Sequence, residues 1–139
     1  MRTITLYRPV GIKELELIVG GGWRRFPPRL EWQPIFYPVL NQRYAARIAR
    51  EWNTGDSFGG YCGVVTAFDV TEERFLQYEV RNVGGEGYDE LWVPAEELAA
   101  FNDDIVGEIR VVEAFFGEGY RPPADETLSQ MLEKFKKDE

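Results

Sequence analysis

Apolar residues recur along this chain with two different periods, and the switches between them mark out its elements. Thr3 to Tyr7 alternates β-branched and large residues, and Pro9 with Gly11 closes the run, which predicts a first strand ending at Tyr7-Arg8. Ile12, Leu15, Ile18 and Val19 keep helical spacing until Gly20-Gly21-Gly22 stops the helix. Residues 23–34 hold Trp23, Pro27-Pro28, Trp32 and Pro34 and read as a stiff aromatic loop. Ile35-Phe36-Tyr37 predicts a second strand, closed by Pro38. Asn41 suits the N-cap of a helix in which Tyr44, Ile48 and Trp52 recur every fourth residue with Ala45 and Ala49 alongside, which assigns Tyr44 and Trp52 to the core.

Tyr61 to Val70 is apolar on both alternating faces, the pattern of a central strand. Thr71 opens a short helical turn, Tyr78 to Val83 returns as a strand, and Gly84 to Gly87 forms a tight connection. Asp89 to Val93 is the next strand, Pro94 begins a short helix through Phe101, and Ile105 to Phe115 is the last strand. Beyond Gly117 and Pro122-Pro123, Asp125 caps a helix with Leu128, Met131, Leu132 and Phe135 on one stripe. The expected organisation is an α+β domain over 1–116, followed by a linker and amphipathic C-terminal helix over 117–139.

Composition narrows the chemistry. The 139 residues suit one domain, and 44% hydrophobic residues suffice for a packed core. Histidine is absent, which removes Ser-His-Asp and Cys-His systems, histidine bases and His-containing metal sites. The single cysteine, Cys62, forbids an internal disulfide and a multi-cysteine metal cluster, and lies in an apolar run as a buried small residue. A net charge of -8 disfavours bulk nucleic acid and anionic lipid, yet arginines concentrate between Arg2 and Arg50 while acids accumulate after Asp69. No run reaches the ~18 apolar residues of a membrane span, and the charged N-terminus lacks the apolar block of a signal peptide, so a cytoplasmic location is expected. The three glycines after the first helix lack the lysine and hydroxyl of a Walker motif and read as a helix stop.

Three segments place a polar group at the edge of an apolar strand: Leu6-Tyr7-Arg8, Phe36-Tyr37 and Glu90-Leu91-Trp92-Val93-Pro94. Each has a plain structural reading. Arg8 can be a surface arginine at a strand end, Tyr37 a core aromatic with its hydroxyl outward, and Glu90 a solvated strand residue. Trp23, Trp32 and Arg29 either line a cleft or stiffen their loop.

The order of these segments resembles the ADP-ribosyltransferase fold, two small packed sheets with short helices. There the first core strand supplies Arg or His, a following strand Ser or Tyr, and a late strand the catalytic Glu. From Leu6 to about Phe115 the words LYRPVG, FPPRL, QPIFYPVLN, YAARIAREWN, VGG and ELWVPAEELAAFN resemble a family of short bacterial proteins known as ADP-ribosylation/crystallin J1. The strand-rich pattern separates this chain from the ADP-ribosylglycohydrolases, which are longer, all-helical and metal-binding.

The resemblance implies NAD as substrate and cleavage of its nicotinamide-ribose bond. Glu90 would be catalytic, holding a ribose hydroxyl and stabilising the developing positive charge; Tyr37 would pack on nicotinamide; Arg8, with Tyr7 beside it, would contact the distal ribose or a phosphate. No metal is implied. The set Arg8, Tyr37, Glu90 mixes the family's Arg-Ser-Glu and His-Tyr-Glu versions. Tyr88 stands where arginine-specific transferases carry a second acid, so transfer to protein arginine is not supported. Partners on this reading are NAD or a related nucleotide and a possible protein acceptor. The alternatives are a catalytically silent binding module of the same fold and an acidic immunity- or antitoxin-like protein.

Overall fold

A strand that is apolar on both faces needs cover on both sides, and Cys62–Thr71 obtains it as the middle strand of a sheet. In the computed structural model, which describes residues 1–136, this strand, β3, lies between β1 (Thr3–Val10) and β6 (Ile105–Phe116), antiparallel to both. The second sheet is also antiparallel, with β5 (Asp89–Pro94) between β2 (Ile35–Phe36) and β4 (Glu79–Asn82). The architecture is therefore mixed α+β, two small antiparallel sheets with several short helices.

The first strand runs further than the sequence predicts, passing through Pro9 to Val10. Tyr7 donates its N–H to Val39, away from β3. Pro9, two residues on, presents its nitrogen to that same edge, so its missing N–H costs the β1–β3 ladder nothing. Pro94 likewise closes β5 instead of opening a helix. Ala95–Glu97 makes one 3₁₀ turn before helix α4 (Leu98–Asp103).

Helix α1 (Ile12–Gly20) buries Ile12, Leu15 and Ile18 and ends where Gly22 and Trp23 both take positive φ, +74° and +63°. Helix α2 (Gln42–Glu51) starts at Asn41, whose side chain accepts from the Tyr44 amide. Its buried face differs from the expected one. Ala45, Ala46 and Ala49 face the sheet, Tyr44 and Ile48 flank them, and Trp52 is 75% exposed. The helix lies too close to β3 for large residues: a Cβ on Gly63 would collide with the backbone of Ala49. Thr71 caps the one-turn helix α3 (Glu72–Phe75) as expected.

The main core gathers Phe26, Phe36, Phe68 and Phe101 into a chain of tilted and edge-on rings with centroids 4.8 to 6.1 Å apart. Phe26 comes from the aromatic loop, and the Asn102 side chain holds it there by accepting from its N–H and donating to its carbonyl. Helix α5 (Glu126–Glu133) buries Leu128 and Leu132 in the same core, with Met131 and Phe135 packed at its edge. Cys62 is buried, and burial pushes its thiol up to about 12. No helix among the described residues is long and apolar enough to cross a membrane.

The close approach of α2 to β3 gives the first prediction. Gly63→Ala should lower unfolding free energy in urea by about 1–3 kcal/mol, the usual cost of overpacking, because backbone must move to admit the methyl. Trp52→Ala, at an exposed site, should stay within about 0.5 kcal/mol of the parent.

Candidate functional site

The two sheets meet at one residue. Val39 exchanges two backbone hydrogen bonds with Tyr7, at 2.9 and 2.8 Å, and forms an antiparallel bridge to Glu90 on its other edge. There the Pro38 carbonyl accepts from Leu91 and the Leu40 amide donates to Asp89. With neighbouring strands ~4.8 Å apart, the backbones of Tyr7 and Glu90 stand about 10 Å from each other. The β1 side of this seam cannot lengthen toward Arg8. The next hydrogen-bonded pair would be Pro9 with Tyr37, and Pro9 has no N–H to give. Pairing therefore stops at the level of Arg8 and Tyr37.

Residues directly opposite one another share a sheet face. Tyr7, Val39 and Glu90 accordingly face α2, where Tyr7 and Val39 pack with Ala45, Ala46 and Ala49. Glu90 is 8% exposed. Its Oε2 accepts from the Tyr44 hydroxyl at 2.7 Å and its Oε1 from the Trp92 indole N–H at 3.0 Å. Burial, then the hydrogen bond and charge of Glu90, push the Tyr44 phenol well above the ordinary tyrosine range. Tyr44 thus stays protonated and acts as donor.

Arg8 points to the other face, above the Phe36 ring at 4.8 Å. Glu14 of α1 grips it in a bidentate pair, Nε to Oε2 at 2.7 Å and Nη2 to Oε1 at 3.0 Å. Burial works against the guanidinium charge, but the Glu14 charge and hydrogen bonds more than offset it, and the group is held cationic. Arg29 donates from Nε to the Ile35 carbonyl, at 3.2 Å; burial and then the Arg8 charge lower its pKa.

Tyr37 is exposed. The register of residues 35–39 against β5 sets it across from Trp92, on the Glu90 face. Its phenol lies close enough to both Arg8 and Tyr44 to influence the charge of each. So Tyr37 stands with the Glu90 group and within electrostatic reach of Arg8. No hydrogen bond or ion pair joins Arg8 to Glu90 among the described residues.

Sequence reasoning missed three residues here. Tyr44, expected in the core, is instead a half-buried donor to Glu90. Trp92 was signalled by its place two residues after Glu90, since alternate strand residues share a face. Glu14 carried no local signal: its pairing with Arg8 depends on how α1 folds back along β1.

A concavity of about 630 Å³ lies elsewhere, between the loop carrying Arg24, Arg25 and Phe26 and helix α4 with Asn102. None of Tyr7, Arg8, Tyr37 or Glu90 lines it. Among the described residues no cluster of acidic or cysteine side chains is arranged to hold a metal ion. Comparison with protein families, curated proteins and solved structures finds no match to this chain.

The Arg8–Glu14 pair is testable by removing one partner. The Arg8 side chain is 9% exposed, so Glu14→Ala leaves a charge with little access to water and should cost about 3 kcal/mol in urea unfolding. Combining Arg8→Met with Glu14→Leu should recover most of that loss, because no buried ion then remains.

Proposed function

We propose that this chain is an ADP-ribosyltransferase-like protein that takes NAD as substrate across the seam between its two sheets, and that it is related to the ADP-ribosylation/crystallin J1 group. The observation that carries the reading is the pairing of Val39 with Tyr7 on one edge and Glu90 on the other. It aligns the three segments singled out in the sequence side by side at one place in the fold. The donor set also suits the ligand. Glu90 has one acceptor position left on each oxygen after its two hydrogen bonds. Tyr37 offers an exposed ring, and Arg8 supplies a fixed cation.

On this reading the bond between the nicotinamide nitrogen and the ribose anomeric carbon breaks, and its electron pair leaves with nicotinamide. The anomeric carbon becomes positive and takes an electron pair from water or from an acceptor nucleophile, which loses its proton. Glu90 accepts a ribose hydroxyl and its negative charge stabilises the cationic carbon. The term is large because the carboxylate is already desolvated and oriented. Tyr37 stacks on the nicotinamide ring, while Arg8, with Tyr7 alongside, meets the distal ribose or a phosphate.

One feature favours the catalytically silent form of the same reading. Glu14 takes two of the Arg8 donor atoms, Nε and Nη2, and leaves Nη1 for a ligand. A binding module and a transferase would both bind NAD at the seam; only the transferase releases nicotinamide.

NAD affinity by calorimetry and nicotinamide release by chromatography separate these readings. Glu90→Gln should keep most of the affinity while turnover falls on the order of 10²–10³-fold, as when one preorganised electrostatic group is removed. Arg8→Ala should weaken binding more than turnover, since its contact is felt in ground and transition states alike. A wild-type protein that binds NAD without releasing nicotinamide is the silent module. One that does not bind NAD at all is neither, and a tight protein partner, as for the immunity-like alternative, becomes the remaining reading.

A further inference from the structure

We infer that Tyr44 and Trp92 are positioning residues that clamp the Glu90 carboxylate in one orientation, leaving its remaining acceptor positions for a ligand hydroxyl. The assignment of that ligand rests on the transferase reading above; the clamp itself does not. A glutamate on a strand has three side-chain torsions, and one hydrogen bond leaves its carboxylate free to turn. Here two donors from separate elements, α2 and β5, bond to different oxygens of the same group, at 2.7 and 3.0 Å, and so fix the carboxylate.

Both donors are themselves braced. The Tyr44 amide is capped by Asn41 at 2.8 Å, and the Asn41 side chain also donates to the Gly87 carbonyl in the loop leading into β5. The Tyr44 ring lies 5.0 Å from that of Tyr88, which in turn sits under the Arg47 guanidinium at 5.1 Å. Arg81 covers the Trp92 ring at 4.0 Å. Simple packing needs only the rings, and phenylalanine would serve at both positions. The polar tips of both residues meet one carboxylate, which is the signature of a group being held. Both donors are also neutral, so neither forms an ion pair with the carboxylate.

The test uses Tyr44→Phe and Trp92→Phe, which remove the donors and keep most of the packing, and reads kinetics together with spectroscopy. Each variant should lower kcat for nicotinamide release about 10- to 100-fold, the size of one hydrogen bond to a charged group, with KM within about twofold of the parent. The second readout needs no turnover. Tyrosinate absorbance of the wild type minus that of Tyr44→Phe isolates the Tyr44 titration, which the charges of Glu90, Tyr37 and Arg47 influence. In a Glu90→Gln background that titration should move down toward ordinary tyrosine.

Unchanged kcat in both folded variants of an active protein would overturn the inference, as would a Tyr44 titration indifferent to Glu90→Gln. If one variant fails to fold, the other carries the kinetic arm. A wild type that releases no nicotinamide but whose Tyr44 titration follows Glu90 keeps the clamp and removes the transferase reading.

Discussion

Val39 is paired on both edges, through its own two hydrogen bonds to Tyr7 and through those of its neighbours Pro38 and Leu40 to β5, and the main chains of the two sheets join there. One proline keeps the seam so short: Pro9 has no N–H to offer Tyr37, so β1 and the chain leaving β2 part just past Tyr7. A longer ladder would have joined the sheets into one continuous surface and covered the backbone beside Arg8 and Tyr37. The short seam instead brings three strands together without sealing their ends. Arg8 and Tyr37 lie where pairing between β1 and the chain after β2 stops, while Glu90 stays within the ladders of β5.

The two buried ions at this seam are handled differently, and the difference sets the electrostatics. Arg8 is neutralised by a carboxylate in a bidentate pair, so most of its field is cancelled within a few ångströms. Glu90 is solvated by a phenol and an indole, which satisfy its oxygens without cancelling its charge. The α2 face of the seam therefore holds a carboxylate with no direct ion pair, among the aromatic rings of Tyr37, Tyr44, Tyr88 and Trp92, with the Arg47 and Arg81 guanidinium groups over two of those rings. The opposite face holds Arg29 next to the Arg8–Glu14 pair. Tyr37 stands between the two, where the parted strands leave it exposed.

Small residues make this arrangement possible. Ala45, Ala46 and Ala49 let α2 settle onto β3 at Gly63, and that depth carries the Tyr44 hydroxyl to Glu90. A helix held off by larger side chains would have left the tyrosine above the sheet. Asn41 adds a second control, since one side chain starts the helix and ties down the loop before β5. The loop of Trp23, Phe26 and Trp32 acts chiefly through Phe26, the core aromatic that Asn102 secures by its backbone.

Local pattern alone determined most of the elements. The two-sided apolar run became the central strand, and Asn41, Thr71 and Asp125 began helices because each side chain accepts from the amide three residues on. The placement of Arg8, Tyr37 and Glu90 on or beside apolar strands was also legible, because alternation is a property of neighbouring residues, whereas the end of β1 was not, since the strand runs two residues beyond Arg8. Only the tertiary structure decided what those three residues touch. That Glu14 pairs with Arg8, that Tyr44 reaches Glu90 from a helix 46 residues away in sequence, and that Trp52 faces outward while three alanines face in all depend on how closely helices lie on sheets. Periodicity names the face a residue shares but carries no measure of distance to another element. For the same reason, the sequence located the strands and left open which of their charges would be cancelled.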